Sequence, residues 1–257
     1  MLLTVDVGNT NITLGVYEGE ELRGAWRLGT VQERMADEYG LQMVGLLQHE
    51  GFDPTMLHGA ALASVVPPVT PTILDALDRY LGQQPLVVGT GVKTGVRIRY
   101  EDPKAVGADR VADAAAVCER YGPPACVVDF GTATTFDAID SEGDYLGGAI
   151  APGIGIAADA LFKRTAKLTR VELMRPPSAI GRNTVNAMQS GLLYGYVGLV
   201  EGMVERFRRE LGPGMTVIGT GGLAGLIAQE TEVIEYVDPW LTLEGLRLIW
   251  ELNRDET

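Results

Sequence analysis

The chain has 257 residues, enough for one large domain or two smaller ones, and 46% of them are apolar, ample for a buried core. A formal net charge of −13 and a pI near 4.6 argue against a nucleic-acid surface, which needs a basic stripe, although local amides and one cation can still hold an anionic ligand. The two cysteines, Cys118 and Cys126, form no CxxC and no Cys/His cluster, so neither a disulfide framework nor a zinc site is expected. Met1-Leu2-Leu3-Thr4 carries no basic leader, and the weakly polar run from Leu146 to Leu161 is too short for a bilayer. A soluble cytoplasmic protein without membrane partners is the expectation.

Leu2 to Val7, Ile12 to Tyr17 and Glu21 to Leu28 read as three antiparallel strands joined by tight turns. A helix follows from Ala36 to Gly51, with apolar Tyr39, Met43, Leu46 and Leu47 at helical spacing. His58 to Val66 is a buried strand stopped by Pro67-Pro68. Thr70-Pro71 then fits the N-cap and first position of a helix ending near Gly82. Leu86 to Val88 is a brief strand. Gly89 to Lys104 is irregular, with basic Lys93, Arg97 and Arg99. Gly107-Ala108-Asp109-Arg110 opens a helix to Tyr121, where Asp109 is either a capping acid or a catalytic one.

Val128-Asp129-Phe130-Gly131-Thr132-Ala133 then repeats the pattern of Val5-Asp6-Val7-Gly8-Asn9-Thr10. Both stretches run strand, Asp-x-Gly-polar turn, strand, acidic Gly turn, and Tyr145 to Ile150 supplies a matching third strand. A repeat at this distance predicts two related halves, divided as residues 1–112 and 113–257. A helix is expected from Ile156 to Thr165. Arg164-Thr165-Ala166-Lys167 and Met174-Arg175-Pro176-Pro177 read as exposed linker. Val185 to Leu211 is a long helix whose Gly191, Gly195, Gly198 and Gly202 form a smooth stripe suited to close helix packing. Met215 to Ile218 is a strand, after which Gly219-Thr220-Gly221-Gly222 opens a helix through Ile227, as either a nucleotide-binding turn or a packing turn. Val233 to Val237 and Leu241 to Leu252 close the chain as strand and helix.

The two Asp-x-Gly turns have a common chemical logic. Gly8-Asn9 and Gly131 are expected to supply the φ > 0 that a hairpin turn demands, with bare N–H groups open to phosphate. Asp6 and Asp129 put carboxylates beside those phosphates, where a cation must bridge like charges. Asn9, Thr10 and Thr132 are candidate phosphate contacts, and Asp109 is a candidate base. Phosphoryl transfer needs little more than positioning, charge neutralisation and a base at the acceptor hydroxyl. His49 and His58 read as structural or surface residues. No Walker loop, nucleophile elbow or dinucleotide fingerprint occurs.

Five motifs together resemble type III pantothenate kinase over nearly the whole chain: Asp6-Val7-Gly8-Asn9-Thr10-Asn11, Gly107-Ala108-Asp109-Arg110, Asp129-Phe130-Gly131-Thr132-Ala133-Thr134, Gly147-Gly148-Ala149-Ile150-Ala151-Pro152-Gly153 and Gly181-Arg182-Asn183-Thr184. The resemblance implies an α/β architecture of duplicated ribonuclease-H-like (actin-like ATPase) domains with a cleft between them. It implies a homodimer that makes 4′-phosphopantothenate from ATP and pantothenate, the first step of coenzyme A synthesis. ATP contacts carry over to Asp6, Val7, Gly8, Asn9, Thr10, Asn11, Ile12, Thr13 and Thr132. Pantothenate contacts carry over to Tyr100, Gly107, Ala108, Asp109, Arg110 and Thr184. Asp109 matches the general base, Asp129 the K⁺ or NH₄⁺ ligand, and Asp6 a Mg²⁺ contact, direct or through water. Thr13 stands where some relatives carry Lys, which implies weak nucleotide affinity. The Gly stripe after Thr184 is the candidate dimer surface. Two rivals remain: another small-molecule kinase of the same superfamily, and a non-catalytic regulator like the Bvg accessory factor.

Overall fold

The computed structural model describes residues 1–165 and 168–254; Ala166 and Lys167 of the expected linker lie outside them. In chain order the elements are β1 (Leu2–Val7), β2 (Asn11–Glu18), β3 (Glu21–Gly29), α1 (Ala36–His49), β4 (Gly59–Ser64), α2 (Thr70–Leu81), β5 (Leu86–Val87) and α3 (Ala108–Arg120). There follow β6 (Ala125–Phe130), β7 (Ala133–Ile139), β8 (Tyr145–Pro152), α4 (Ile154–Arg164), α5 (Thr184–Leu211), β9 (Thr216–Gly221), α6 (Ala224–Ala228), β10 (Tyr236–Val237) and α7 (Leu241–Asn253). The chain packs as two compact units. One comprises Met1–Arg97, Glu101–Ala116 and the chain from Leu241; the other comprises Ile98–Tyr100 and Val117–Trp240. The sequence draws its line between residues 112 and 113, whereas packing groups residues 113–116 and the closing helix with the first unit. Long-range contact, which linear order does not encode, makes that assignment.

Each unit carries a mixed five-stranded sheet. The orders are β3-β2-β1-β4-β5 and β10-β9-β6-β7-β8, so reading the second in reverse gives the same arrangement, strand for strand. In both, the first three strands are antiparallel and the fourth lies parallel to the first. The antiparallel part follows from the tight turns after Val7, Glu18, Phe130 and Ile139. The parallel strand needs a helical crossover, and α1 supplies it in the first unit. In the first unit β1 and β4 bury Leu3, Val5, Ala60 and Leu62 against Tyr39, Met43, Ile73 and Leu77 of α1 and α2. In the second, Val128, Phe136 and Val217 pack on Leu193, Val197 and Val200 of α5.

Several boundaries move. Thr70 is the first residue of α2 and its hydroxyl donates back to Val66 O at 3.1 Å, so Val69 is the N-cap; Gly82 ends the helix at φ 62°, as a left-handed C-cap requires. The stretch Gly219 to Gly221 belongs to β9, and the helix after it has five residues, because the parallel register with β6 runs on to Phe130↔Gly221. The expected last strand shrinks to Tyr236–Val237. Along the stripe on α5, an added Cβ at Gly191, Gly195 or Gly198 would meet no described atom within 4 Å, and one at Gly202 would stand 3.3 Å from the Arg206 guanidinium of the same helix.

Close packing occurs instead at Gly245 of α7. A Cβ there would lie 1.8 Å from Ala112 O, a backbone atom of α3 in the same unit. Gly245→Ala must therefore push α7 off α3, an overpacking cost of about 3 kcal/mol. Thermal melting should fall by roughly 6–12 °C for a chain of this size. An unchanged melting curve would mean that the two helices slide apart freely.

Candidate active site

In the first unit Asp6 sits near the end of β1, directly opposite Thr13 of β2. The turn between the strands is Gly8-Asn9-Thr10. Gly8 N donates to Asn11 O at 2.9 Å, Thr30 Oγ1 donates to Gly8 O at 2.7 Å, and Thr30 N donates to Thr10 O at 2.9 Å. Thr30 thus ties the turn down from behind, while Asn9, Thr10 and Asn11 present exposed side chains. Val7 and Ile12 are fully buried, so only their backbone can meet a ligand. No described non-glycine residue has positive φ, and neither Gly8 nor Gly131 does. The expected left-handed turn is therefore replaced by a requirement for space. A Cβ on Gly8 would stand 3.1 Å from Asn11 O, and one on Gly131 would stand 3.2 Å from Asp129 Oδ2.

Asp109 lies in the first turn of α3, where the helix dipole favours an anion. Its Oδ1 accepts from Arg110 N at 2.8 Å, and Gly107 fits against the same oxygen, since a Cβ there would stand 2.3 Å away. Val111 N donates to Gly107 O at 3.2 Å, closing Gly107-Ala108-Asp109-Arg110 into one turn. Burial among protein atoms raises the Asp109 carboxyl above its usual range; the Arg110 amide and guanidinium oppose that only in part. A carboxylate raised in this way suits proton abstraction near neutral pH better than an ordinary surface Asp does.

In the second unit Asp129 is the last residue but one of β6, opposite Thr135 of β7 and in register with Thr220 of β9. Its carboxylate lies between two glycines. A Cβ on Gly221, whose φ of 85° already disfavours other residues, would stand 2.3 Å from Asp129 Oδ1. The Gly-rich segment therefore leaves room for the Asp129 carboxylate. The hairpin tip is Gly131-Thr132, both exposed. Tyr100 reaches this unit because Ile98 bridges to Tyr145 and Arg99 N donates to Tyr145 O at 2.8 Å. The Tyr100 ring lies over Gly147, where a Cβ would come within 3.0 Å. Thr184 opens α5 behind its N-cap Asn183, which accepts from Asn186 N at 2.9 Å. With Arg182, Met188, Leu192 and Tyr196 it lines a mainly apolar cavity of about 1070 Å³.

The first unit thus brings together Asp6 to Thr13 in one turn and Gly107 to Arg110 in another. The second brings together Asp129 and Thr132, and separately holds Tyr100 and Thr184. Sequence reasoning missed Thr30, Gly153 and Tyr196. Thr30 and Tyr196 carry no local signal, whereas Gly153 stood in a visible motif without a role. Among the described residues no group of three or more His, Cys, Asp or Glu could hold a metal. His58 is exposed and stacks on Trp250, with ring centres 5.5 Å apart, as a surface residue would.

Two sheets of identical strand order, each with an Asp at the end of its first strand and a glycine turn beyond it, define the duplicated ribonuclease-H-like fold of the actin-like ATPases. The activator of 2-hydroxyisocaproyl-CoA dehydratase from Clostridium difficile, solved with ADPNP, shares this fold: TM-score 0.54, 10% identity, covering 99% of this chain and 96% of that one. A Campylobacter jejuni structure described as a conserved Baf family transcriptional activator superposes with a TM-score of 0.63 at 20% identity, covering 98% and 99%.

This chain belongs to the type III pantothenate kinase family, whose model matches residues 2–206. The type III pantothenate kinase of Moorella thermoacetica is 57% identical over 253 residues, which cover 98% of this chain and all of that relative.

Proposed function

We propose that this protein phosphorylates the 4′-hydroxyl of pantothenate with ATP, the entry reaction of coenzyme A synthesis, in the cytoplasm. The observation that carries the reading is Asp109. It is fixed by Arg110 N and Gly107 at a helix start, and burial raises its carboxyl above the usual carboxylate range. Asp109 accepts the hydroxyl proton as that oxygen attacks the γ-phosphorus, and the bond to the β-phosphate oxygen breaks to release ADP. Gly107, Ala108, Arg110, Tyr100 and Thr184 hold pantothenate. The amides and side chains from Asp6 to Thr13, together with Thr132, hold the phosphates. Asp6 would hold Mg²⁺, through water or directly, and Asp129 would hold K⁺ or NH₄⁺; these cations neutralise phosphate charge. The 57% identity to a type III pantothenate kinase over essentially the full chain supports the substrate assignment.

The direct test is ADP release from ATP, Mg²⁺ and pantothenate, in K⁺ and again in Na⁺ alone. Turnover that needs pantothenate and K⁺ supports substrate and cation together. A folded protein silent in both buffers would turn the assignment toward a regulator that has kept the fold.

The working form is a homodimer joined along the exposed face of α5. Gly191, Gly195 and Gly198 are open on that face. Exposed Ile150, Ile156, Phe162, Ile180 and Val185 provide apolar surface in the same unit. Gly195→Arg is expected to convert a dimer into a folded monomer in light scattering after size exclusion. A variant that remains dimeric would move the interface elsewhere.

A further inference from the structure

The motif Gly147-Gly148-Ala149-Ile150-Ala151-Pro152-Gly153 has no ligand contact in the reading above, yet its end is built onto the tip of the second phosphate hairpin. Gly153 N donates to Thr132 O at 3.1 Å. A Cβ on Gly153 would stand 2.2 Å from Thr132 O and 2.7 Å from Gly131 O, so no other residue lets the hairpin tip sit this close. Gly153 is also the N-cap of α4, at φ −69° and ψ 155°. One residue earlier, Pro152 O accepts from the Tyr196 hydroxyl at 2.8 Å, a bond that crosses from the middle of α5 to the end of β8. Gly131 and Thr132 form a short exposed loop at the tip of the β6–β7 hairpin. The hydrogen bonds from Gly153 and Tyr196 arrive in sequence from behind it.

We propose that Tyr196 is a positioning residue for the nucleotide: through Pro152 and Gly153 its hydroxyl holds the Gly131-Thr132 tip in the geometry that meets ATP phosphate. The proposal rests on the reading of that hairpin as a phosphate contact, and it makes the third strand of the second unit part of the nucleotide site. Tyr196 touches no substrate in this scheme. Its ring lines the cavity beside Thr184, so replacing the hydroxyl alone leaves that packing in place.

The test is Tyr196→Phe, which removes one oxygen. Tyr80→Phe serves as a control, because the Tyr80 hydroxyl makes a 2.6 Å bond to exposed Asp37 within the first unit, which does not contain the Gly131-Thr132 tip. MgATP affinity is measured by calorimetry for both variants and the wild type, and KM for ATP and for pantothenate is measured where turnover occurs. Loss of one orienting hydrogen bond predicts MgATP binding weakened roughly three- to tenfold in Tyr196→Phe. The pantothenate KM and melting temperature should stay near wild type, and Tyr80→Phe should be unchanged throughout. MgATP affinity equal to wild type in Tyr196→Phe overturns the proposal, as does an equal loss for both substrates, which would mark a general structural role. Binding of MgATP is read without the acceptor, so a wild type inactive on pantothenate would sink the substrate assignment and leave this test standing.

Discussion

Asp109→Asn is expected to lower kcat by a factor on the order of 10²–10⁴, the range for loss of a general base, with a smaller change in KM for either substrate. The amide keeps the size of the carboxyl and the contact with Arg110 N but cannot take a proton. Steady-state kinetics with saturating ATP read this directly, and near-normal turnover would remove Asp109 from the role. The pH profile adds an independent check. The base works only when ionised, and burial raises its carboxyl above the ordinary value of 3.8, so the acid limb of kcat/KM should fall at a pH above that value. The same shift has a stability consequence. With the folded-state pKa raised, the fold binds the proton more tightly than the unfolded chain does. That contribution is present below the unfolded pKa and is lost as pH rises through the folded pKa, so above the folded pKa the ionised Asp109 costs stability. Asparagine stays neutral, and Asp109→Asn should melt at or above the wild-type temperature at pH 7 while being nearly inactive. A variant that melts well below wild type would indicate that the carboxylate serves the fold and not the chemistry.

Asp129→Ala is expected to abolish the response to K⁺. The carboxylate stands between Gly131 and Gly221, and the left-handed Gly221 backbone comes too close for any side chain. Such a tightly fitted acid at the foot of a hairpin is well placed to hold a weakly bound monovalent ion against phosphate charge. Initial rates across a K⁺ titration should rise in the wild type and stay flat and low in Asp129→Ala. A titration that still rises with the wild-type midpoint would place the cation on other ligands. Gly221→Ala offers a companion variant, since it keeps the carboxylate but displaces it, pressing on Asp129 Oδ1 and on the Phe130 backbone. It should weaken K⁺ without abolishing the response.

Much of the fold was legible because its signals are local. Alternating apolar residues and tight turns fix β1 to β3 and β6 to β8, and the repeated Asp-x-Gly turn announces the duplication before any contact is known. The parallel placement of β4 beside β1 and of β9 beside β6 needed the tertiary structure, because crossover pairing depends on long-range burial. The glycines divide in the same way. The sequence calls for glycine at 8, 131 and 221, but only the packed structure gives the reasons: clearance from Asn11 O and Asp129 at the first two, and at Gly221 clearance from Asp129 with a left-handed backbone.

The amino-acid sequence by itself determined the two halves, the candidate base, the candidate cation ligand and the resemblance to a kinase family, since each resides in a short run of residues. The tertiary structure decided that α7 returns to the first unit, that Gly219 to Gly221 extend a strand alongside Asp129, and that Thr30 and Tyr196 hold the backbone behind the two hairpins. The physical reason is that a hydrogen bond between residues 22 or 44 positions apart leaves no trace in local pattern and exists only once each unit has packed.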